Sequence, residues 1–277
     1  MPQICAHQRP KVEVNALHRY GNLLVHDRLA FAVAQNEFVC ICGPSGCGKT
    51  TLLNCLAGIL KPTLGSVLID GAPVNPKRHS ISFVFQEPST FPWLTVFDNV
   101  ATGLRIKGAP AAAVTAKVRE IIDIVALTGF EAYYPHQISG GMKQRVAIAR
   151  AFATDADLIL MDEPFVSLDQ PTRERMQREV LDIWRRRVRT VIFVTHNIEE
   201  AVFLGDRILI LSEKPAHIVA ELPVLLEHPR DPLSNEFMRL RSECVHWLLP
   251  SHSAARASGG VERTADKGRQ ILADPRI

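Results

Sequence analysis

Short apolar runs rich in β-branched residues alternate along this chain with longer stretches whose apolar positions recur every third or fourth residue. Phe38–Cys42 is such a run and predicts a buried strand, with Cys40 and Cys42 on one face. A glycine-rich loop follows, and then Thr51–Gly58 places Leu52, Leu53, Leu56 and Ala57 on one side of a helix that closes at glycine. Further strands are predicted at Ser66–Ile69, Ile81–Phe85, Leu158–Met161, Val191–Val194 and Ile208–Leu211. Between about Pro88 and Phe152 the strand signal vanishes. There Pro110 opens a helix, Ala111–Leu127, with Val114, Val118, Ile121, Ile122 and Val125 at helical spacing, and Met142–Phe152 reads as another. Strands alternating with helices predict an α/β fold with a mainly parallel sheet, interrupted by a helical insertion over about 88–152. Residues 250–277 are polar, Gly/Ser-rich and aperiodic, and are expected to form a disordered tail.

Composition narrows the class. The chain has 277 residues, 47% hydrophobic and 22% charged, the proportions of a globular protein. The 32 Lys+Arg against 29 Asp+Glu leave a formal charge of +3, too small and too evenly spread to argue for nucleic acid. The densest basic run, Arg185-Arg186-Arg187-Val188-Arg189, is expected to be the solvated end of a helix. No stretch approaches the roughly 18 apolar residues of a spanning helix, and the first ten residues carry no signal-peptide core. Six cysteines without such a leader suggest free thiols in a reducing compartment. The spacing of Cys40, Cys42, Cys47 and Cys55 matches no zinc pattern.

The chemistry starts at Gly43-Pro44-Ser45-Gly46-Cys47-Gly48-Lys49-Thr50, a G-x-x-x-x-G-K-[ST] sequence between a strand and a helix. Glycines let the backbone curl until successive N–H groups point at a phosphate. The helix N-terminus adds its dipole, the lysine its charge, and the threonine hydroxyl a ligand for Mg²⁺. A second element is the apolar run Leu158-Ile159-Leu160-Met161 ending in Asp162-Glu163. It places two carboxylates at the C-terminal edge of the sheet, where such sheets bind ligands. Asp162 would hold Mg²⁺ and Glu163 would polarise water; taken alone, the pair could equally be an N-cap before the next helix. Together the two elements fit a nucleoside triphosphatase or a nucleotide kinase. Ser139-Gly140-Gly141 separates these, because it opens a helix and so forms a second anion cradle. One chain has no need of two cradles for one nucleotide unless the second faces the phosphate held by another copy.

At this point the sequence resembles the ATP-binding cassette family of transport ATPases, over about Val12 to Ser212. Ser139-Gly140-Gly141 matches that family's signature, Gln86 its Q-loop glutamine, Ser167-Leu168-Asp169 its D-loop and His196 its switch histidine. Tyr20, 23 residues before Gly43, stands where the family stacks an aromatic on adenine. Phe91-Pro92-Trp93-Leu94, Tyr134-Pro135-His136-Gln137 and Glu199-Glu200-Ala201-Val202 are similar to importers for nitrate, sulfonates and taurine. Asn36 departs from the family's usual glycine, and a turn in left-handed geometry is expected there because asparagine tolerates it. Asn197 stands where an aspartate is common.

The resemblance implies one cassette domain over 12–249, with a P-loop core, an N-terminal antiparallel β part and the helical insertion. It implies ATP bound by Gly43–Thr51 and Tyr20 of one copy and by Ser139, Gly140, Gly141 and Asp169 of a second copy. Mg²⁺ would be held by Thr50, Gln86 and Asp162, and catalysis carried by Lys49, Gln86, Glu163 and His196. The implied partners are a separate membrane permease and an extracytoplasmic solute-binding protein, with this chain peripheral at the cytoplasmic face of the membrane. The Phe91-Pro92-Trp93 aromatics would either meet the permease or pack inside the helical insertion. The competing readings are an importer ATPase for a different small organic solute and a cassette ATPase of DNA repair or translation, though the latter carry a coiled-coil insertion or two cassettes in one chain.

Overall fold

The computed structural model describes residues 9–249; the expected tail at 250–277 lies outside them, as does Cys5. The residues form two sheets. In the first, β1 (Val12–Tyr20), β2 (Leu23–Val33), β4 (Leu64–Ile69) and β5 (Ala72–Pro73) are all antiparallel, in the order β2-β1-β4-β5. The second has the order β10-β9-β3-β8-β7-β6. It comprises β3 (Phe38–Cys42), β6 (Ile81–Val84), β7 (Leu158–Asp162), β8 (Thr190–Thr195), β9 (Arg207–Leu211) and β10 (Ile218–Pro223). Only β10 runs antiparallel there. Ser66–Ile69, expected as a strand with no sheet assigned, belongs to the antiparallel sheet as part of β4.

The mainly apolar strands of the parallel sheet are covered on both faces, as such sheets require. Alternation along β3 divides the core in two. Phe38, Cys40 and Cys42 face the side shared with the helical insertion, while Val39 and Ile41 face the antiparallel sheet. The expected single-face placement of Cys40 and Cys42 holds, and burial raises both thiol pKa values. Helix α1 (Lys49–Leu56) starts two residues before its predicted position and puts Leu52, Leu53 and Leu56 into the second core with Val14, Leu29 and Ile69. Asn36 takes the left-handed conformation expected of it, with φ of 64°.

The insertion contains α2 (Val96–Ile106), α3 (Ala111–Ile124) and α4 (Gly140–Ala153). All five apolar positions predicted for the first long helix are buried, although α3 ends at Ile124 because Ala126 turns left-handed (φ 50°). After β7 come α5 (Gln170–Arg186), α6 (Ile198–Leu204) and α7 (Asn235–Leu248). The basic run is only partly a solvated helix end. Arg187 pairs with Glu120 of α3 at 2.6 Å and with Asp155 at 3.4 Å, and Arg189 reaches Asp155 at 3.6 Å. Lys117 joins the same carboxylate at 2.8 Å, so Asp155 ties the insertion to the end of α5.

Candidate active site

Four neighbouring parallel strands set the site. Cys42 of β3 lies beside Thr195 of β8, Val194 beside Asp162 of β7, and Met161 beside Val84 of β6. Their C-terminal ends therefore deliver the P-loop, His196, Asp162-Glu163 and Gln86 to one edge of the sheet. In the P-loop, Gly46 and Gly48 have φ of 76° and 111°, which L side chains rarely adopt. A Cβ on Gly48 would stand 2.5 Å from Val25 Cγ1 and 2.7 Å from His26 Nε2, so the loop lies hard against β2. Ser45, Gly46 and Thr50 face solvent, leaving the mouth of the loop open.

Lys49 is only 5% exposed. Its ammonium donates to the carbonyls of Gly43 (2.9 Å) and Pro44 (3.0 Å) and lies 3.7 Å from Glu163 Oε1. Glu163 also meets the His196 ring, Oε2 to Nδ1, at 2.8 Å. The Glu163 backbone turns left-handed (φ 44°) while its N–H donates to Val194 O at 2.9 Å, which pins the residue at the strand end and aims its carboxylate inward. Asp162 is buried beside it. Burial raises its carboxyl pKa and the Glu163 charge adds to this, while the Thr50 hydroxyl and Lys49 oppose them. A buried carboxylate next to a threonine hydroxyl is a hard-oxygen donor set of the kind Mg²⁺ prefers, so these residues fit the cation.

The structure therefore brings Lys49, Thr50, Asp162, Glu163 and His196 together. It does not bring Gln86 to them: that side chain is exposed and makes no hydrogen bond to Thr50 or Asp162. Ser139 caps α4, accepting from Met142 N at 3.3 Å, and the residues 139–140 are open to solvent. Asp169 caps α5 through Thr172, whose hydrogen bonds lower its pKa. Each of these side chains thus hydrogen-bonds within its own helix start, and among the described residues no bond to the P-loop of the same chain is present. Tyr20 is half exposed at the end of β1 and packs edge-on against His18, centroids 4.7 Å apart.

The ABC transporter family profile matches residues 26–166. An ATP-binding protein of an uncharacterized ABC transporter in Methanocaldococcus jannaschii is 46% identical over 222 residues, 80% of this chain and 83% of that one. The chain belongs to the ABC transporter family. The aliphatic sulfonates import ATP-binding protein of Bacillus anthracis is 43% identical, covering 84% of this cassette and 94% of that protein. The taurine import ATP-binding protein of Burkholderia thailandensis is 47% identical, covering 79% and 84%. Among solved structures, a dimeric ATP-binding cassette bound to ADP and Pi matches with a TM-score of 0.68 and 31% identity, over 78% of this chain and all of that one. The cassette is thus an ATP-binding, ATP-hydrolysing α/β protein.

Several residues that shape the site were not singled out by sequence reasoning. His26 is 2% exposed and its Nε2 lies 2.9 Å from the Gly48 carbonyl, bracing the P-loop from behind. Its burial follows from a bulge near His18 that breaks the alternation of β1 against β2; such an irregularity leaves no periodic signal. Asn99 is fully buried and its amide donates to Phe91, Leu94 and Thr95 carbonyls while accepting from Phe91 N. That fold of the 91–95 loop leaves Trp93 71% exposed. Phe91 instead packs beneath Arg150, the guanidinium 5.1 Å from its ring centre. The two aromatics take different roles, one outward and one packed.

Proposed function

We propose that this cassette powers the uptake of a small sulfonate, of the aliphatic-sulfonate or taurine type, through a separate membrane permease supplied by a solute-binding protein. The observation that carries the ATPase part is the cluster of Lys49, Asp162, Glu163 and His196 at one sheet edge. The sulfonate part rests on relatives named for aliphatic sulfonate and taurine import, 43–47% identical. No helix among the described residues is long and apolar enough to cross a membrane. In this reading the cassette attaches peripherally, at the cytoplasmic face where ATP is available, with exposed Trp93 beside the docking surface.

Two copies close head to tail in this reading, each ATP lying between Gly43–Thr51 of one and Ser139–Gly141 of the other, with Asp169 near the seam. Tyr20 would stack on adenine. Glu163 takes the proton of a water as its oxygen attacks the γ-phosphorus in line, and the bond from phosphorus to the β–γ bridging oxygen breaks, leaving ADP and phosphate. His196, already paired with Glu163 through Nδ1, holds that carboxylate in line beside the γ-phosphate. Lys49 exchanges the Gly43 and Pro44 carbonyls for phosphate oxygens. Thr50 and Asp162 would hold Mg²⁺, with Gln86 swinging in from its loop; bound there, the cation offsets phosphate charge. Positioning and charge stabilisation supply most of the rate. Loss of the bridging phosphate then lets the copies part, a ligand-driven switch.

Growth of a deletion strain tests the transport reading, with taurine, alkanesulfonates or nitrate offered singly as sole sulfur or nitrogen source. Lost growth on a sulfonate, rescued by the wild-type gene and not by Lys49→Ala, is the expected result. Unimpaired growth on every sulfonate, with impaired growth on nitrate, would overturn the substrate assignment while leaving the ATPase intact.

A further inference from the structure

A narrow cleft runs inward from the Glu163–His196 pair. Arg173, Thr195 and Glu200 line it together with those two residues. Glu163 and His196 stand at its mouth, for His196 is half exposed, whereas Thr195 and Glu200 are 1% and 4% exposed and form its floor. A carboxylate so deeply placed is costly unless its oxygens are engaged. Glu200 Oε2 accepts from the Thr195 hydroxyl at 2.6 Å, Gln177 approaches it from α5, and Arg173 Nε stands 3.7 Å from Oε1. Burial pushes the Glu200 pKa up, against the opposing pull of Thr195, Arg173, the His196 ring and Gln177.

The connections of these groups lead to the two segments that carry His196 and Asp169. Thr195 Oγ1 donates to Glu200 and accepts from Asn197 N at 3.0 Å, so one hydroxyl holds the backbone on both sides of His196. Arg173 Nη2 donates to Leu168 O at 3.0 Å, immediately before Asp169. Its Nε is buried without a hydrogen-bond partner, about 1 Å short of a normal bond to Glu200. Helix initiation does not explain either residue. Asn197 already caps α6 through Glu199 N and Glu200 N, and Asp169 already caps α5.

We propose that Arg173 and Glu200 are positioning residues, a clamp that sets the Leu168–Asp169 loop against the Glu163–His196 pair. Displacement of that loop by a second copy closes the Arg173–Glu200 contact, and Glu200, through Thr195, holds His196 where it can support Glu163. Neither clamp residue touches the nucleotide. The clamp rests on the roles given above to Glu163 and His196, so Glu163→Gln is included as the control for that reading.

The test uses the full chain and measures ATP turnover, KM for ATP and the affinity for a fluorescent ADP analogue in Glu200→Gln, Arg173→Met, the double variant and Arg173→Lys. Glu200→Gln and Arg173→Met are each expected to lower kcat about tenfold, equivalent to about 1.4 kcal/mol, with KM and ADP affinity within about twofold of wild type. The double variant should fall no lower than the worse single one, because the pair acts as a unit, and Arg173→Lys should recover part of the loss. If a charge-removing variant does not fold, Thr195→Val tests the same link from its other end, with the same kcat-only loss expected. Wild-type kcat in the folded variants, losses that multiply in the double variant, or parallel losses of kcat and ADP affinity would each overturn the clamp. An inactive Glu163→Gln beside fully active clamp variants would sink the clamp alone, whereas an active Glu163→Gln would sink the catalytic assignment beneath it.

Discussion

Alanine substitution at two glycines of one loop separates backbone strain from packing. At Gly46 the φ of 76° disfavours any side chain, but a Cβ there would meet nothing within 4 Å. At Gly48 the φ is 111° and a Cβ would stand 2.5 Å from Val25 Cγ1 and 2.7 Å from His26 Nε2. Left-handed geometry costs an alanine about 1–2 kcal/mol, so Gly46→Ala should lose about that much stability. Gly48→Ala carries the same strain plus overpacking of about 1–3 kcal/mol, for a total of about 2–5 kcal/mol. That is a large part of a typical stability of about 5–15 kcal/mol. Because the clash pushes on His26, which braces the Gly48 carbonyl, ATP affinity should fall in Gly48→Ala. Urea unfolding of the purified chain reads the stabilities, and titration with a fluorescent ATP analogue reads the affinities. Val25→Ala in the Gly48→Ala background removes one of the two contacted side chains. It should return part of the overpacking loss, despite the cavity it opens. Equal destabilisation of the two glycine variants, or a Val25→Ala that restores nothing, would refute the claim that β2 packs against the phosphate loop.

Glu163→Gln should lower turnover by about 10²–10⁴, the usual worth of a general base, while retaining ATP binding. The variant should then accumulate as a dimer with ATP on size exclusion; a monomeric, fully active variant would refute the assigned role. His228 is held neutral by burial, with its pKa lowered from 6.5 to about 4. The unfolded chain takes up the proton first as pH falls. Stability should therefore be full above about pH 6.5 and lost progressively toward pH 4, by about 1–3 kcal/mol, and His228→Gln should flatten that slope in pH-dependent unfolding. Asp155→Asn removes the charge shared by Lys117, Arg187 and Arg189. It should cost about 1 kcal/mol at low salt and much less at high salt, since partly exposed pairs are screened; a salt-independent loss measured by urea unfolding would contradict an electrostatic tie.

The P-loop and the Asp162-Glu163 strand end were legible because each is a local unit, in which strand, turn and helix signals occupy adjacent positions. The long helix of the insertion was legible for the same reason, its buried face being written in the spacing of Val114, Val118, Ile121 and Ile122. Asn36 could be read because it replaces the glycine usual in the resembled family and because asparagine tolerates a φ of 64° better than most side chains. The basic run after α5 was read as solvated because its acidic partners, Glu120 and Asp155, lie far from it in the chain. Strand Ser66–Ile69 could be located but not placed in a sheet, because an apolar run does not name its neighbour.

What the amino-acid order determined alone was a partial inventory: the parallel strands β3, β6, β7, β8 and β9, the helices α1, α3 and α4, the glycine-rich loop before α1, and residues that could carry the chemistry. Tertiary structure decided how those residues face one another. Glu163 meets Lys49 and His196 only because β3, β8 and β7 lie side by side in parallel register. His26 reaches the phosphate loop only because a bulge turns it inward. Arg173 and Glu200 look like ordinary helix-surface charges until α5 packs on α6 and α6 on β8, which buries Glu200 beside Thr195 and leaves Arg173 partly buried over it. Local propensity acts over a few residues, and these contacts depend on strand order and packing between segments far apart in the chain.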